Sequence, residues 1–345
     1  MNTTMKTTMN AMAGLDAGSA ASGMSSLSSL SLLVRQIRFE AIGIHSYELV
    51  DPAGADLPAR AAGAHIDLHL PGGITRQYSL CNDPIERHRY VIAVLRDDMG
   101  RGGSQAVHRQ LCVQDLVSIS TPRNHFPIAP GATKHLLLAG GIGITPLKAM
   151  AHQLARSGQD YELHYCAKGQ DYAAFREQFA PLAAAGRVVF HFDGGTPGAG
   201  LNIGALLAVQ AEGSHLYYCG PAGFMAACAT AASHWPVGTV HYEHFKAPEE
   251  LQRRPGAVAD GFLVKIASTG KVIKVPGSSS IVDALGDAGI MINTSCQSGL
   301  CGTCKVRFLS GDVDHRDFIL SDEEHLDHLT LCVSRCNSAM LVLDM

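Results

Sequence analysis

The sequence predicts a multidomain chain: an antiparallel β-barrel, then an α/β domain on a parallel sheet, then a small C-terminal domain built around a cysteine loop. Three observations predict it. Between about Ser31 and Pro130, short strand-like runs alternate with glycine turns and no long helical pattern intervenes. From about Gly131 to Glu243, strand-like runs alternate with helical ones, as they do over a parallel sheet. Near the end stands Cys296-x4-Cys301-x2-Cys304, answered by Cys332.

At 345 residues the chain has room for two or three domains of roughly 100–200 residues each. A hydrophobic content of 46% can fill buried cores, and a charged content of 17% is too low for a largely disordered protein. The net charge of −4 gives no reason to expect nucleic-acid binding. No uninterrupted apolar run approaches the roughly 20 residues of a membrane span. Residues 1–30 are mostly Met, Thr, Ser, Ala and Gly, with only Lys6 and Asp16 charged. They lack the basic start and apolar block of a signal peptide, so a disordered tail and a cytoplasmic location are expected. The repeated methionines leave the translation start open.

Residues 31–130 form the expected barrel. His65-Ile66-Asp67-Leu68-His69-Leu70 alternates with period two, and Pro71-Gly72-Gly73 ends it. Tyr90–Leu95 and Leu116–Ser120 read as further strands. Two motifs stand among them: Arg76-Gln77-Tyr78-Ser79 and Arg101-Gly102-Gly103-Ser104. An Arg and a Ser near a glycine pair could hold a phosphate, because the guanidinium is a fork of donors and glycine lets backbone N–H groups approach. Tyr78 offers a flat face beside them. The alternative is a strand with a surface Arg followed by an ordinary turn.

Residues 131–243 form the expected α/β domain. His135–Gly140 reads as a buried strand, followed by Gly141-Ile142-Gly143-Ile144-Thr145-Pro146. Thr145 is expected to cap a helix whose first position suits Pro146. Leu147, Met150, Ala151 and Leu154 recur at helical spacing until Gly158. Strand, glycine loop and helix N-terminus together make a seat for a pyrophosphate, although the motif is not the G-x-G-x-x-G fingerprint. Strands are expected at Tyr161–Ala167, Arg187–Phe192 and His215–Cys219, with a helix over Ala222–Trp235. Cys219 is either a core thiol or a functional one at the crevice edge.

Residues 244–258 read as a linker, with Pro248, Pro255, Gly256 and mixed charges. The last domain, 259–345, opens with a hairpin over Phe262–Val275, then Ser280–Asp283 resembles a capping box, and Met340–Leu343 closes the chain. The cysteine spacing is that of a plant-type [2Fe–2S] cluster, with Gly299 and Gly302 letting the loop bend around the inorganic core. A zinc site using Cys332-x3-Cys336, within a non-redox binding module, and a disulfide framework are the alternatives. Cys336 reads as a spare. The pairs His241/His244 and His325/His328 are expected to be solvated or locally hydrogen-bonded. Residues 259–345 hold the whole net charge of −4. Their acid run, Asp312, Asp314, Asp317, Asp322, Glu323, Glu324 and Asp327, is either a solvated face or a steering surface for a basic partner.

Taken in order, Arg76–Ser79, Arg101–Ser104, Gly140–Pro146, Cys219-Gly220-Pro221, Glu243-His244-Phe245 and the cysteine loop resemble the phthalate dioxygenase reductase family, which includes reductases of aromatic O-demethylases. The resemblance covers about Leu32 to the end. It implies an FMN-binding barrel, a NAD-binding α/β domain and a C-terminal β-grasp ferredoxin domain. It further implies that Arg76, Gln77, Tyr78 and Ser79 belong to the flavin motif, and Gly102, Gly103 and Ser104 to its phosphate loop. Gly141, Gly143 and Thr145 would meet the pyridine nucleotide, Cys219 would lie beside the nicotinamide, and Phe245 would cover the flavin. Cys296, Cys301, Cys304 and Cys332 would hold the cluster. The implied activity is electron transfer from NADH through FMN and [2Fe–2S] to a terminal oxygenase of the Rieske type; a cytochrome P450 acceptor is the alternative. After Tyr161–Ala167 the chain has Lys168-Gly169-Gln170-Asp171, where Lys168 could pair with the phosphate of NADPH and Asp171 would disfavour it. NADH is expected.

Overall fold

Short strands in the first third curl into one antiparallel sheet because glycine turns and bulges let each strand double back on its neighbour. The computed structural model describes residues 29–100, 102–196, 198–246 and 261–345. The expected tail up to residue 28, Arg101 and linker residues 247–258 lie outside the described residues. The sheet comprises β1 (Ser29–Ala41), β2 (Ile44–Val50), β3 (Ala64–Leu70), β4 (Ile74–Ser79), β5 (Tyr90–Leu95), β6 (Leu116–Ser120) and β7 (Arg123–Asn124), with helix α1 (Gly103–Gln110) between β5 and β6. Ser29 and Leu30, placed in the tail by composition, therefore already belong to a strand. The strand order is β4-β3-β6-β1-β2-β5, with β7 also on β3. Register shifts in β1 at Val34/Gln36 and Phe39/Ala41 bend that strand. The Cys81 amide, just past β4, donates to Val91 O in β5 and brings the two ends of the sheet together.

On β3 the alternation has an unexpected consequence. Ile66 and Leu68 fill the barrel core, but His65 and Asp67 on the other face are buried too. His65 stacks on His125, and Asp67 is covered by Gln77 and Arg123 together with Ser295 of the C-terminal domain.

The middle of the chain alternates strands and helices: β8 (Lys134–Gly140), α2 (Ile144–Arg156), β9 (Tyr161–Ala167), α3 (Arg176–Ala184), β10 (Val188–Phe192), α4 (Ile203–Leu207), β11 (Ser214–Cys219), α5 (Ala222–Ala231) and β12 (Val240–Glu243). The strands are parallel in the order β10-β9-β8-β11-β12. The order reverses between β8 and β11, so a crevice opens beyond their carboxyl ends. Thr145 does not cap α2. A 3-10 turn over Gly141–Gly143 runs straight into the helix at Ile144, and the Thr145 hydroxyl donates to Ile142 O at 3.1 Å instead. Helix α5 stops short of Trp235, whose indole N–H donates to Leu207 O at 3.0 Å.

Barrel and α/β domain share one apolar cluster. Ala41, Ile44, Cys81, Ala93 and Phe126 pack in it with Leu147, Met150 and Tyr217. Within it Lys148, its carbon stem buried, donates from Nζ to Cys81 O at 3.1 Å.

The last domain has β13 (Phe262–Ile266), β14 (Val272–Val275), α6 (Ile281–Asp287), β15 (Lys305–Ser310), β16 (Val313–Asp314), β17 (His328–Thr330), β18 (Arg335–Cys336) and β19 (Met340–Leu343). A mixed sheet in the order β14-β13-β19-β15-β17 is joined by α6, whose expected capping box is present: Ser280 Oγ accepts from the Asp283 amide and the Asp283 carboxylate from the Ser280 amide. Much of the acid run is neutralised within the domain. Asp314 pairs with Arg316, Glu324 with Lys305 and Asp327 with Arg307, while the Asp317 side chain is buried and bonded to His325. Asp322 and Glu323 stay exposed.

Candidate functional site

The cysteine loop depends on backbone angles that side chains resist. Gly299 has φ +70° and Gly302 φ +66°, and a Cβ on Gly299 would crowd Asp317 Cα at 2.9 Å. The bend turns four thiols inward. Cys301 and Cys332 lie against Cys296, and Cys332 also against Cys304. The amides of Leu300 and Ser298 point at Cys296 Sγ from 3.3 and 3.4 Å. Hydrogen bonds from the neighbouring thiols and these amides hold the Cys296 thiol well below the ordinary range against the opposing effect of burial. All these cysteines are free, which removes the disulfide alternative.

The donor set fits a two-iron centre: four thiols converge, Cys296 meeting Cys301 and Cys332 and Cys332 meeting Cys304, and N–H donors are aimed at sulfur. Cys336 takes no part. Its buried thiol meets Ser338 Oγ at 3.1 Å, which removes the zinc set that needed it. The histidine pairs are locally engaged as expected: His241 bonds His215 at 3.0 Å and His328 bonds Asp327 at 2.6 Å.

Beside the loop lies a cavity of about 1190 Å³. Strand β4 supplies Arg76, Gln77, Tyr78 and Ser79 to one wall, and the start of α1 supplies Gly103 and Ser104. The α/β domain adds Ile142 and Thr145, the segment after β12 adds Phe245, and the cysteine loop adds Cys296 with Cys332. Gly103 is glycine for a reason: a Cβ there would overlap the Arg76 guanidinium, which lies across the N-terminus of α1. A cation beside a helix N-terminus suits a phosphate. Helix α1 itself was not foreseen, being only eight residues long and hidden in a glycine-rich stretch.

Several predicted residues stand behind the cavity wall. Gly102 (φ +78°) precedes α1, and Gly141 (φ +54°) forms the turn into α2. Gly143 packs so closely on the Cys219 carbonyl that a Cβ would overlap it. Cys219 is 0% exposed, and burial, with Glu243 nearby, raises its thiol pKa. Its register partner across the sheet is Glu243. Phe245 is 38% exposed at the cavity edge. Lys168 lies over the Tyr172 ring just beyond the carboxyl end of β9.

Two residues that pattern reading left without a role now acquire one. Glu243, earlier only part of Glu-His-Phe, opens partly into the cavity and accepts a hydrogen bond from Ser79 Oγ at 3.2 Å. Burial of its carboxyl pushes the pKa up to about 7, with the Ser79 hydroxyl pulling the other way. Asp67 is the second: its Oδ1 accepts from Ser295, the neighbour of Cys296, at 2.6 Å.

Replacing Gly103 by alanine should displace the Arg76 guanidinium and, with Arg76 in the flavin role the resemblance implies, weaken flavin binding roughly tenfold or more, the worth of a charge-assisted hydrogen bond. Flavin retention through dialysis measures it.

A barrel, a parallel-sheet domain and a mixed-sheet cysteine domain in series, facing one cavity, define a modular iron–sulfur oxidoreductase. Residues 264–337 match the 2Fe-2S iron-sulfur cluster binding domain family. The chain is 55% identical over 333 residues to the tert-butanol monooxygenase / tert-amyl alcohol desaturase reductase subunit of Aquincola tertiaricarbonis, covering 94% of this chain and 98% of that one. It is 47% identical over 320 residues to the vanillate O-demethylase oxidoreductase of a Pseudomonas species, covering 92% and 100%. Among solved structures, phthalate dioxygenase reductase, described as a modular structure for electron transfer from pyridine nucleotides to [2Fe–2S], superposes with a TM-score of 0.71 at 39% identity, covering 92% and 98%. An intact type IV self-sufficient cytochrome P450 monooxygenase superposes with a TM-score of 0.81 at 36% identity over 92% of this chain, which spans 41% of that longer one. The chain belongs to the phthalate dioxygenase reductase family.

Proposed function

We propose that this chain takes electrons from NADH and delivers them, by way of bound FMN and a [2Fe–2S] cluster, to the terminal oxygenase of a Rieske-type aromatic oxygenase or demethylase system. The observation that carries the reading is the single cavity touching Arg76–Ser79, Thr145, Phe245 and Cys296 at once. Its volume of about 1190 Å³ exceeds a common small-molecule pocket and suits a flavin with a second ring beside it. When bound, the flavin accepts a hydride and the cluster accepts single electrons, so together they turn a two-electron donor into a one-electron source.

The chain's own residues supply placement. Arg76, with Gly102, Gly103 and Ser104 at the start of α1, would hold the flavin phosphate, and Tyr78 would lie against the ring. Gly141, Gly143 and Thr145 at the switch point would seat the pyridine nucleotide, with Cys219 behind it. Phe245 would shield the ring from water. Glu243 would hold or release a proton at its carboxyl oxygen beside Ser79. Cys296, Cys301, Cys304 and Cys332 would ligate the irons. NADH is favoured over NADPH because Asp171 stands next to the site that Lys168 alone would make cationic. Among the described residues no helix is long and apolar enough to cross a membrane, and the reading places the chain in the cytoplasm with its NADH.

A cytochrome P450 acceptor is the second reading, favoured by the 36%-identical segment of the self-sufficient P450. Protein purified without air would be assayed for flavin and iron, then mixed with NADH and either a Rieske oxygenase or a P450. Turnover with the oxygenase supports the first reading and turnover with the P450 alone overturns its acceptor. Absence of both flavin and iron overturns the whole.

A further inference from the structure

We propose that Asp67 is a positioning residue that seats the cysteine loop on the barrel through Ser295, setting the gap across which single electrons pass. The proposal rests on the reading of the cavity and cysteine loop above. Asp67 lies on β3 and is 2% exposed. One carboxylate oxygen, Oδ1, accepts three hydrogen bonds: from Ser295 Oγ at 2.6 Å, from Arg123 Nη2 at 2.7 Å and from Gln77 Nε2 at 3.2 Å. The three donors come from different places. Gln77 precedes Tyr78 on the strand facing the cavity, Arg123 sits on β7, and Ser295 immediately precedes Cys296. The Asp67 amide is fixed as well, donating to Ser120 Oγ at 2.9 Å. Burial alone would push this carboxyl pKa up, but Arg123, Ser295 and Gln77 together hold it below the usual carboxylate range. An ionised, buried acceptor binds its donors strongly and directionally.

The packing explains why a polar hub is needed here. The barrel and the α/β domain share an apolar cluster, whereas the apolar cluster of the cysteine domain contains only residues from Phe262 onward. Apolar burial is nondirectional and, among the described clusters, does not register that domain on the barrel. A hydrogen bond to Asp67 does, and it is made by the residue directly before Cys296. Electron tunnelling falls exponentially with separation, so a looser seat slows it while leaving chemistry at the nicotinamide untouched.

Ser295→Ala tests this, because it removes the loop's bond and leaves Asp67 with Arg123 and Gln77. In the cofactor-loaded protein, amides of residues 294–300 should exchange with solvent roughly tenfold faster, the weight of a hydrogen bond to a charged group. Flavin content, iron content and melting temperature should stay at wild-type levels. Flavin bleaching by NADH should keep its rate while reduction of the cluster slows. Loop exchange within twofold of wild type, with both cofactors in place, overturns the seat. Asp67→Asn should loosen the loop at least as much, and a folded Asn variant with full loop protection would overturn it equally. Wild-type protein lacking flavin and iron would instead sink the reading of the cavity, whatever the loop does.

Discussion

Cys304→Ser is expected to strip the iron from the chain and to cut one-electron delivery by at least two orders of magnitude, while NADH still reduces the flavin. Cys304 is 3% exposed and packs in the apolar core of its domain, so no water can stand in for its sulfur. A serine hydroxyl is a hard, weak ligand where iron–sulfur chemistry needs a soft thiolate. Changes to residues behind a metal ligand already cost about 10–100-fold, which makes on the order of 100-fold a lower bound for a ligand. Iron analysis and cytochrome c reduction read the loss, and ferricyanide, which takes electrons from flavin directly, serves as control. Cys336→Ser should keep iron and activity, since that thiol faces Ser338 and Met340 O. Iron lost from the Cys336 variant and kept by the Cys304 variant would overturn the ligand set.

Glu243→Gln carries the second large effect. Wild-type flavin reduction by NADH should change with an inflection near pH 7, because burial raises the Glu243 carboxyl to about 7. A glutamine cannot ionise, so the variant should lose the inflection and run roughly 100-fold slower, a common weight for a proton-holding group. Stability carries its own sign. A carboxyl whose folded pKa exceeds its unfolded one contributes fully below the ordinary carboxylate pKa, and that contribution is lost as pH rises through about 7. Relative to wild type, the Gln variant should therefore gain more melting temperature at pH 8 than at pH 5. A stopped-flow series from pH 5.5 to 8.5 (about half-unit steps, bracketing the carboxyl) checks the first claim, and a flat wild-type profile would defeat it.

The cysteine loop was legible because a cluster-binding domain imposes its spacing on the chain: three thiols come from one tight loop, and glycine stands where that loop bends. Strands such as β5, β6 and β9 were legible for an equally local reason, since period-two or wholly apolar runs bounded by turns have few other places to go. The Ser280–Asp283 capping box was legible because both partners lie within one helical turn. Thr145 misled because a threonine before a proline looks like a cap, whereas the preceding 3-10 turn had already started the helix.

Tertiary structure alone decided the groups that meet across long stretches of chain. Ser79 and Glu243 stand 164 residues apart, and neither has a local pattern that announces the other. Asp67 occupied the position that alternation assigns to solvent, yet it is buried under Gln77, Arg123 and Ser295, the last of them 228 residues later in the chain. The acid run read as one charged face, yet most of its carboxylates found cationic or histidine partners on neighbouring strands and loops. Ligand spacing and periodicity are properties of neighbours along the chain, and so they are written in it. The pKa of Glu243 and the register of the cysteine loop on the barrel depend on which surfaces exclude water from each other, and that is settled only when the sheets pack.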